Sequence, residues 1–209
     1  MKHNKNTRKN RGKGKKLPNK NDLLNTYSND EYNSNDGMLT TVWGPGMWHY
    51  LHTMSFNYPV KPTCKDKKHY KDFMLSLRHV LPCGKCRENL CQNFNKLPLN
   101  AENLKNREKF SKYVYDLHEL INDMLDKKSG LTYEMVKERY EHFRARCSKS
   151  LKKKVTKKKK EKGCTEPIYG EKAKCVLKIV PQDEKCETLK VDEKCLKRRD
   201  VVNSAVTNN

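Results

Sequence analysis

In the middle of the chain apolar residues recur every three or four positions, and toward both ends that rhythm is lost. From 65 to 81, Tyr70, Phe73, Met74, Leu77 and Leu81 keep the i, i+3, i+4, i+7 pattern, with Lys and Asp on the opposite face. This spacing predicts an amphipathic helix. From 106 to 127 a longer stripe (Phe110, Tyr113, Val114, Leu117, Leu120, Ile121 and Met124) predicts another. Earlier, Met47 or Trp48, Leu51 and Ser55 lie one turn apart. Pro45 suits a first helical position, where a missing N–H is no loss, and Pro59 ends that helix. Residues 83–95 place Leu90, Cys91 and Phe94 inward, and Pro98 closes that element. After a Ser129-Gly130 turn, a short helix over 132–146 turns Val136, Tyr140 and Phe143 inward. No stretch alternates as a strand would, so the expected fold class is all-α: a four-helix bundle with a short fifth helix.

The ends read differently. Residues 1–40 are rich in Lys, Asn, Gly and Ser and lack apolar period, so they are expected to be disordered. Residues 148–163 are dominated by Lys and read as extended or disordered. Of the net charge of +21, residues 1–40 hold +5, residues 41–147 hold +7 and residues 148–209 hold +9. Only 34% of the chain is hydrophobic, which is too little for one globule, and both tryptophans (Trp43 and Trp48) lie in the middle segment. These observations divide the chain into a basic N-terminal segment (1–40), one domain (41–147) and a Lys-rich, Cys-containing tail (148–209). The basic ends, Arg8 to Lys16 among them, are either solvated tails or contacts for nucleic acid and other acidic partners, with steep salt dependence in the second case. The N-terminus has no apolar signal region, and no run of about 18 apolar residues exists to span a membrane. The nine cysteines therefore call for thiol chemistry or metal rather than export.

The cysteine chemistry centres on Pro82-Cys83-Gly84-Lys85-Cys86. A helix starting here places the first thiol near unpaired N–H groups and the positive end of the helix dipole, with Lys85 and Arg87 adding charge. Each of these favours thiolate over thiol. Two sulfurs three residues apart also close a disulfide, so the residues read as a redox-active dithiol. The same pair is half of a zinc site, with His79 and Cys91 close by in sequence, or an inert pair. A zinc-stabilised basic nucleic-acid-binding protein is the alternative function.

Two further groups carry chemistry. Trp48, Leu51 and His52 share one helix face, which serves either as aromatic core or as a surface that stacks on a planar ring. His118 and Asn122 lie one turn apart and, if buried, need partners: each other, or the heteroatoms of a ligand.

Taken together, Trp43-Gly-x-x-x-Trp48-x-x-Leu51-His52, Tyr58-Pro59, Pro82-Cys83-x-x-Cys86 and His118-x-x-x-Asn122 with Lys127 resemble the Erv/ALR FAD-linked sulfhydryl oxidases over about 100 residues. Leu97-Pro98-Leu99-Asn100, Asn106-Arg107 and Phe110 look most like the members of large DNA viruses. The resemblance implies a helical bundle holding FAD and acting as a homodimer. It implies that Cys83 and Cys86 cycle between dithiol and disulfide, Cys86 nearer the flavin and Cys83 facing substrate. Gly44, Trp48, Leu51, His52, Tyr58, His118, Asn122, Lys127 and Tyr140 match cofactor-binding positions, with no metal. The implied partners are protein thiols, a thioredoxin-like carrier and O2. The implied location is host cytoplasm or virion for a viral protein, and the mitochondrial intermembrane space for a cellular one.

There are departures from the family pattern. Tyr115 and Tyr133 stand where many relatives have a structural disulfide, a bond that contributes roughly 2–4 kcal/mol, so packing or dimerisation must replace it. Glu119 stands where the familiar His-Asn step has Asn. In the tail, Cys164, Cys175, Cys186 and Cys195 follow at intervals of 11, 11 and 9, and Asp-Glu-Lys-Cys occurs at 183–186 and 192–195. These cysteines read as a shuttle arm, a small disulfide- or metal-bound module, or incidental thiols.

Overall fold

The computed structural model describes residues 27–145 and 164–196, apart from 182, 185, 186 and 188. The Arg8–Lys16 stretch, the Lys-rich run and Cys186 lie outside these residues.

Residues up to Asp36 form a unit of their own. Its described part is not wholly irregular, because Ser28 and Glu31 make a reciprocal capping box over α1 (Asn29–Tyr32). The bundle follows. It comprises α2 (Thr40–Phe56), α3 (Cys64–Val80), α4 (Gly84–Lys96) and α5 (Arg107–Met124), and the short fifth helix of the bundle is α6 (Tyr133–Glu141). Helix α2 packs on α5 and α6, α3 on α4, and α4 on α5. No strand is formed among the described residues, which hold a single isolated bridge between Ala145 and Pro167.

The start signals are side-chain caps. Thr63 and Asp66 form a capping box over α3, Asn106 accepts from Lys109 N–H at α5, and Thr132 accepts from Met135 N–H at α6. Helix α2 departs from the sequence reading, because Pro45 lies inside it rather than at its start. The first turn is laid down upstream, with Val42 and Trp43 N–H both donating to Leu39 O. Proline then removes one interior bond without stopping the helix. Helix α3 begins one residue before the predicted 65–81 span, at Cys64, which is free and exposed.

The core is built as the stripes predict. Met74, Phe110, Tyr113, Val114 and Leu117 are fully buried, joined by Leu51, Leu77, Leu90 and Phe94. Each such side chain contributes roughly 1.5–3 kcal/mol through burial. Five inward expectations fail at the margins. Met124 and Phe143 are exposed, while Cys91 is only half-buried and Asn93 takes the inward place on α4. Leu120 and Ile121 are half-buried.

At the α5–α6 seam, the rings of Tyr115 and Tyr133 meet edge to face at 5.9 Å. Tyr115 donates to Leu131 O (2.8 Å), Tyr133 pairs with the Ser111 hydroxyl (2.8 Å), and the Lys112 ammonium lies over both rings. Packing and hydrogen bonds thus join α5 to α6 at this seam. Beyond α6, Arg144 grips Glu141 through two bonds of 2.7 Å and donates to Phe56 O at 2.6 Å. The described part of the tail folds back here. Ile168 N–H donates to Arg144 O, and Glu171 N–H donates to Lys194 O. Gly170, at φ +65°, passes so close to Cys195 that an added Cβ would lie 2.6 Å from its carbonyl carbon.

Candidate active site

Pro82 breaks the chain after α3, and Cys83 becomes the N-cap of α4 with an extended backbone. Its Sγ accepts the Cys86 N–H at 3.2 Å. This is the unpaired N–H predicted from the helix start, now aimed at sulfur. Cys83 and Cys86 are joined as a disulfide, and both residues are half-buried. The cations behave differently from expectation. Lys85 is exposed and paired with Glu88 at 3.1 Å, while Arg87 is spent on Leu81 O at 2.6 Å, tying α4 to the end of α3. The polarity at the dithiol therefore comes chiefly from the backbone.

A strap of residues 37–39 crosses this corner before α2 begins. Met38 N–H donates to Pro82 O (2.8 Å), and the Trp43 indole N–H donates to Met38 O (3.0 Å). Thr40, the first residue of α2, brings its hydroxyl to 3.7 Å from Cys86 Sγ.

Two turns further along α2, about 12 Å by helical rise, lies a nest of flat side chains. Trp48 stacks on His118 of α5 with centroids at 3.8 Å. His52 packs against His118 (5.3 Å) and Tyr140 of α6 (5.2 Å). His52 Nε2 and His118 Nδ1 share a hydrogen bond at 3.0 Å, so one ring must be the donor and the other the acceptor. Burial holds both rings neutral. It lowers His52 from 6.5 to about 3, helped by His118 and His49, and His118 to about 4 against the raising effect of Glu119. Burial also raises the Tyr140 phenol to about 12, and Tyr140 meets His49 Nδ1 at 3.3 Å. One atom is left over: His52 Nδ1 is buried without a partner. A buried ring nitrogen facing flat aromatic walls matches a planar group bearing its own donors and acceptors.

The remaining predicted residues sort themselves around this nest. His118 and Asn122 do not bond each other. Asn122 donates to Glu119 Oε1, Ser129 donates to Glu119 Oε2 (both 2.9 Å), and Lys127 N–H donates to Asn122 O. Glu119 is thus the clamp of the turn after α5, a role its replacement of Asn did not reveal in sequence. Leu51 belongs to the core cluster. Tyr58 does too: it packs on Tyr70 and Phe110 and donates to Leu104 O at 2.9 Å. Gly44 is buried in α2, where an added Cβ would meet Thr40 Cγ2 at an ordinary 3.6 Å. Thr40, Glu119 and His49 are the site residues that sequence reasoning missed. His49 carried a faint signal, one residue from the Trp48 face. Cys164 carries a disulfide, while Cys175 and Cys195 are free. Among the described residues no group of three or more His, Cys, Asp or Glu is placed to hold a metal, so the zinc alternative finds no ligand set there. No described helix is long and apolar enough to cross a membrane.

The profile of the Erv1 / Alr family matches residues 45–141. The chain is 43% identical over 96 residues to the probable FAD-linked sulfhydryl oxidase of Acanthamoeba polyphaga mimivirus, covering 46% of this chain and 66% of that protein. It is 31% identical over 86 residues to the FAD-linked sulfhydryl oxidase of African swine fever virus, covering 41% and 70%. Against the Arabidopsis thaliana FAD-linked sulfhydryl oxidase ERV1 the match covers only 42% of that protein, at 32% identity over 40% of this chain. Among solved structures, the FAD binding domain of Erv1 from Saccharomyces cerevisiae aligns with a TM-score of 0.45 at 24% identity, over 49% of this chain and 94% of that one. The motifs of α2, α4 and α5 and the match to the swine fever virus protein agree: the chain belongs to the Erv1/Alr family.

Proposed function

We propose that the chain is an FAD-linked thiol oxidase that makes protein disulfides. The observation that carries this reading is the closed Cys83–Cys86 pair at a capped helix start, in a chain of a family whose named relatives are FAD-linked sulfhydryl oxidases. A substrate thiolate attacks Cys83 Sγ; a new S–S bond forms, the Cys83–Cys86 bond breaks, and the electron pair goes to Cys86. A second substrate thiol resolves the mixed disulfide, leaving the chain with two thiols. FAD, when bound, supplies the two-electron acceptor that reoxidises this pair and delivers the electrons to O2. The net reaction is 2 R–SH + O2 to R–S–S–R + H2O2.

The nest fits such a cofactor, because the unpartnered His52 Nδ1 offers a bond that nothing among the described residues fills. Trp48, His52, His118 and Tyr140 would hold the flat ring system, and Asn122 and Lys127 would act at the end of α5. Gly44, Leu51 and Tyr58 back these from α2 and the core. The domain at 41–147, with residues 37–40 packed on its dithiol corner, does the chemistry, and the basic segments that flank it recruit partners, nucleic acid among the acidic candidates. Substrates are protein thiols, reached directly or through a thioredoxin-like carrier. The working unit is a homodimer, and the viral relatives favour host cytoplasm or virion.

Oxygen uptake with dithiothreitol tests the reading. The FAD-loaded wild type should consume oxygen, and Cys86→Ser should lose at least about 100-fold while keeping its flavin absorbance. Unchanged uptake in Cys86→Ser would overturn the assignment.

A further inference from the structure

We propose that Thr40 is a catalytic residue of the dithiol, donating its hydroxyl hydrogen to Cys86 Sγ and holding that sulfur as thiolate when the disulfide opens. The inference rests on the reading of Cys83–Cys86 as a cycling pair. It starts from the 3.7 Å contact between Thr40 Oγ1 and Cys86 Sγ. A disulfide sulfur carries no hydrogen, so in the closed pair the hydroxyl is the donor, and a thiolate accepts in the same way.

Two features show that this contact is built. The strap preceding it is fastened through both backbone groups of Met38, its N–H donating to Pro82 O and its carbonyl accepting from Trp43 Nε1. Gly37 lets the strap lie against the dithiol loop, because a Cβ there would sit 2.9 Å from Pro82 O and 3.1 Å from Cys83 Cα.

The two sulfurs thereby have separate donors. Cys83 has the Cys86 N–H at 3.2 Å, and Cys86 has Thr40. When a substrate thiolate attacks Cys83, Cys86 is the sulfur that leaves with the electron pair. A donor aimed at it lowers its pKa, and a leaving thiol of lower pKa departs faster. No proton changes hands, since the hydroxyl keeps its hydrogen throughout. Thr40 is exposed, so water shares the task and the effect is modest.

The test uses the full chain, reduced, in a Cys83→Ser background that keeps an N-cap oxygen and leaves Cys86 to titrate alone. The pH midpoint of iodoacetamide alkylation is read on the Cys86 peptide by mass spectrometry. Thr40→Val is expected to raise the midpoint by about half a unit, roughly a threefold loss of thiolate below it. Thr40→Ser should hold the original value. Gly37→Ala, which pushes the strap off the loop, should shift the midpoint in the same direction as Thr40→Val. An unchanged midpoint in Thr40→Val, or an equal shift in Thr40→Ser, overturns the proposal. The assay needs neither flavin nor oxygen. A shift in a protein that shows no oxidase activity upholds Thr40 and fails the oxidase reading, and the reverse result fails Thr40 alone.

Discussion

Tyr58, Tyr70 and Phe110 pack with ring centroids 4.7–5.5 Å apart in the core. Trp48, His52, His118 and Tyr140 pack at similar spacing between α2, α5 and α6. Both clusters are aromatic and largely buried, and both raise a phenol to about 12. They differ in closure. In the first, the Tyr58 hydroxyl reaches Leu104 O and no ring atom is left wanting. In the second, two neutral imidazoles satisfy each other on one side, and His52 Nδ1 is left open. An unpaired buried polar atom costs about 1–3 kcal/mol, so a cluster that keeps one is shaped for something besides packing. The density of rings does not distinguish these two clusters, whereas their hydrogen-bond inventories do; the other unpartnered buried atom, Asn93 Oδ1, lies on α4 outside both.

The largest expected effect lies in the closed cluster. Phe110→Ala opens a cavity at a fully buried position and should lower stability by about 3–5 kcal/mol in chemical denaturation. A loss below about 1 kcal/mol would mean that this cluster is not the core it resembles. Acid should single out the open cluster. His52 and His118 titrate near 3 and 4 when folded and near 6.5 when unfolded. Between those values the unfolded chain binds more protons, so stability is greatest above pH 6.5 and falls as pH drops, by on the order of 2 kcal/mol for each imidazole at pH 5. Without cofactor this decline should be attenuated in His52→Phe, and a profile identical to wild type would remove the nest as its source. The smallest contrast is between two hydroxyls. Tyr58→Phe strands Leu104 O and should cost about 1 kcal/mol. Tyr140→Phe gives up only a 3.3 Å contact to His49 and should cost less.

The bundle was legible because its stripes repeat. Phe110, Tyr113, Val114 and Leu117 state their burial in their spacing, and Cys83 and Cys86 state in theirs only that a disulfide can close. The strap at 37–39 was not legible, because it has no period. Its order comes from one main-chain bond, one bond from the Trp43 indole to a main-chain carbonyl and one missing Cβ, none of which shows as a period in the sequence. Pro45 misled because the first turn of α2 is set upstream by Leu39 O, a bond no residue preference announces. Glu119 was visible only as a departure from the family pattern. What it does became clear once its two carboxylate oxygens were found on Asn122 and Ser129. The pairing of His118 with His52 joins residues 66 positions apart, which is beyond the reach of helical spacing.

The ring contact of Tyr115 with Tyr133 also bears on life in a reducing medium. Where a bridge of two sulfurs joins α5 to α6, any thiol strong enough to open the working pair is a potential threat to the scaffold as well. Here the seam has nothing to reduce. Among the described residues of the bundle, the disulfide is the one between Cys83 and Cys86, so a reductant that opens it leaves the contacts joining α5 to α6 untouched.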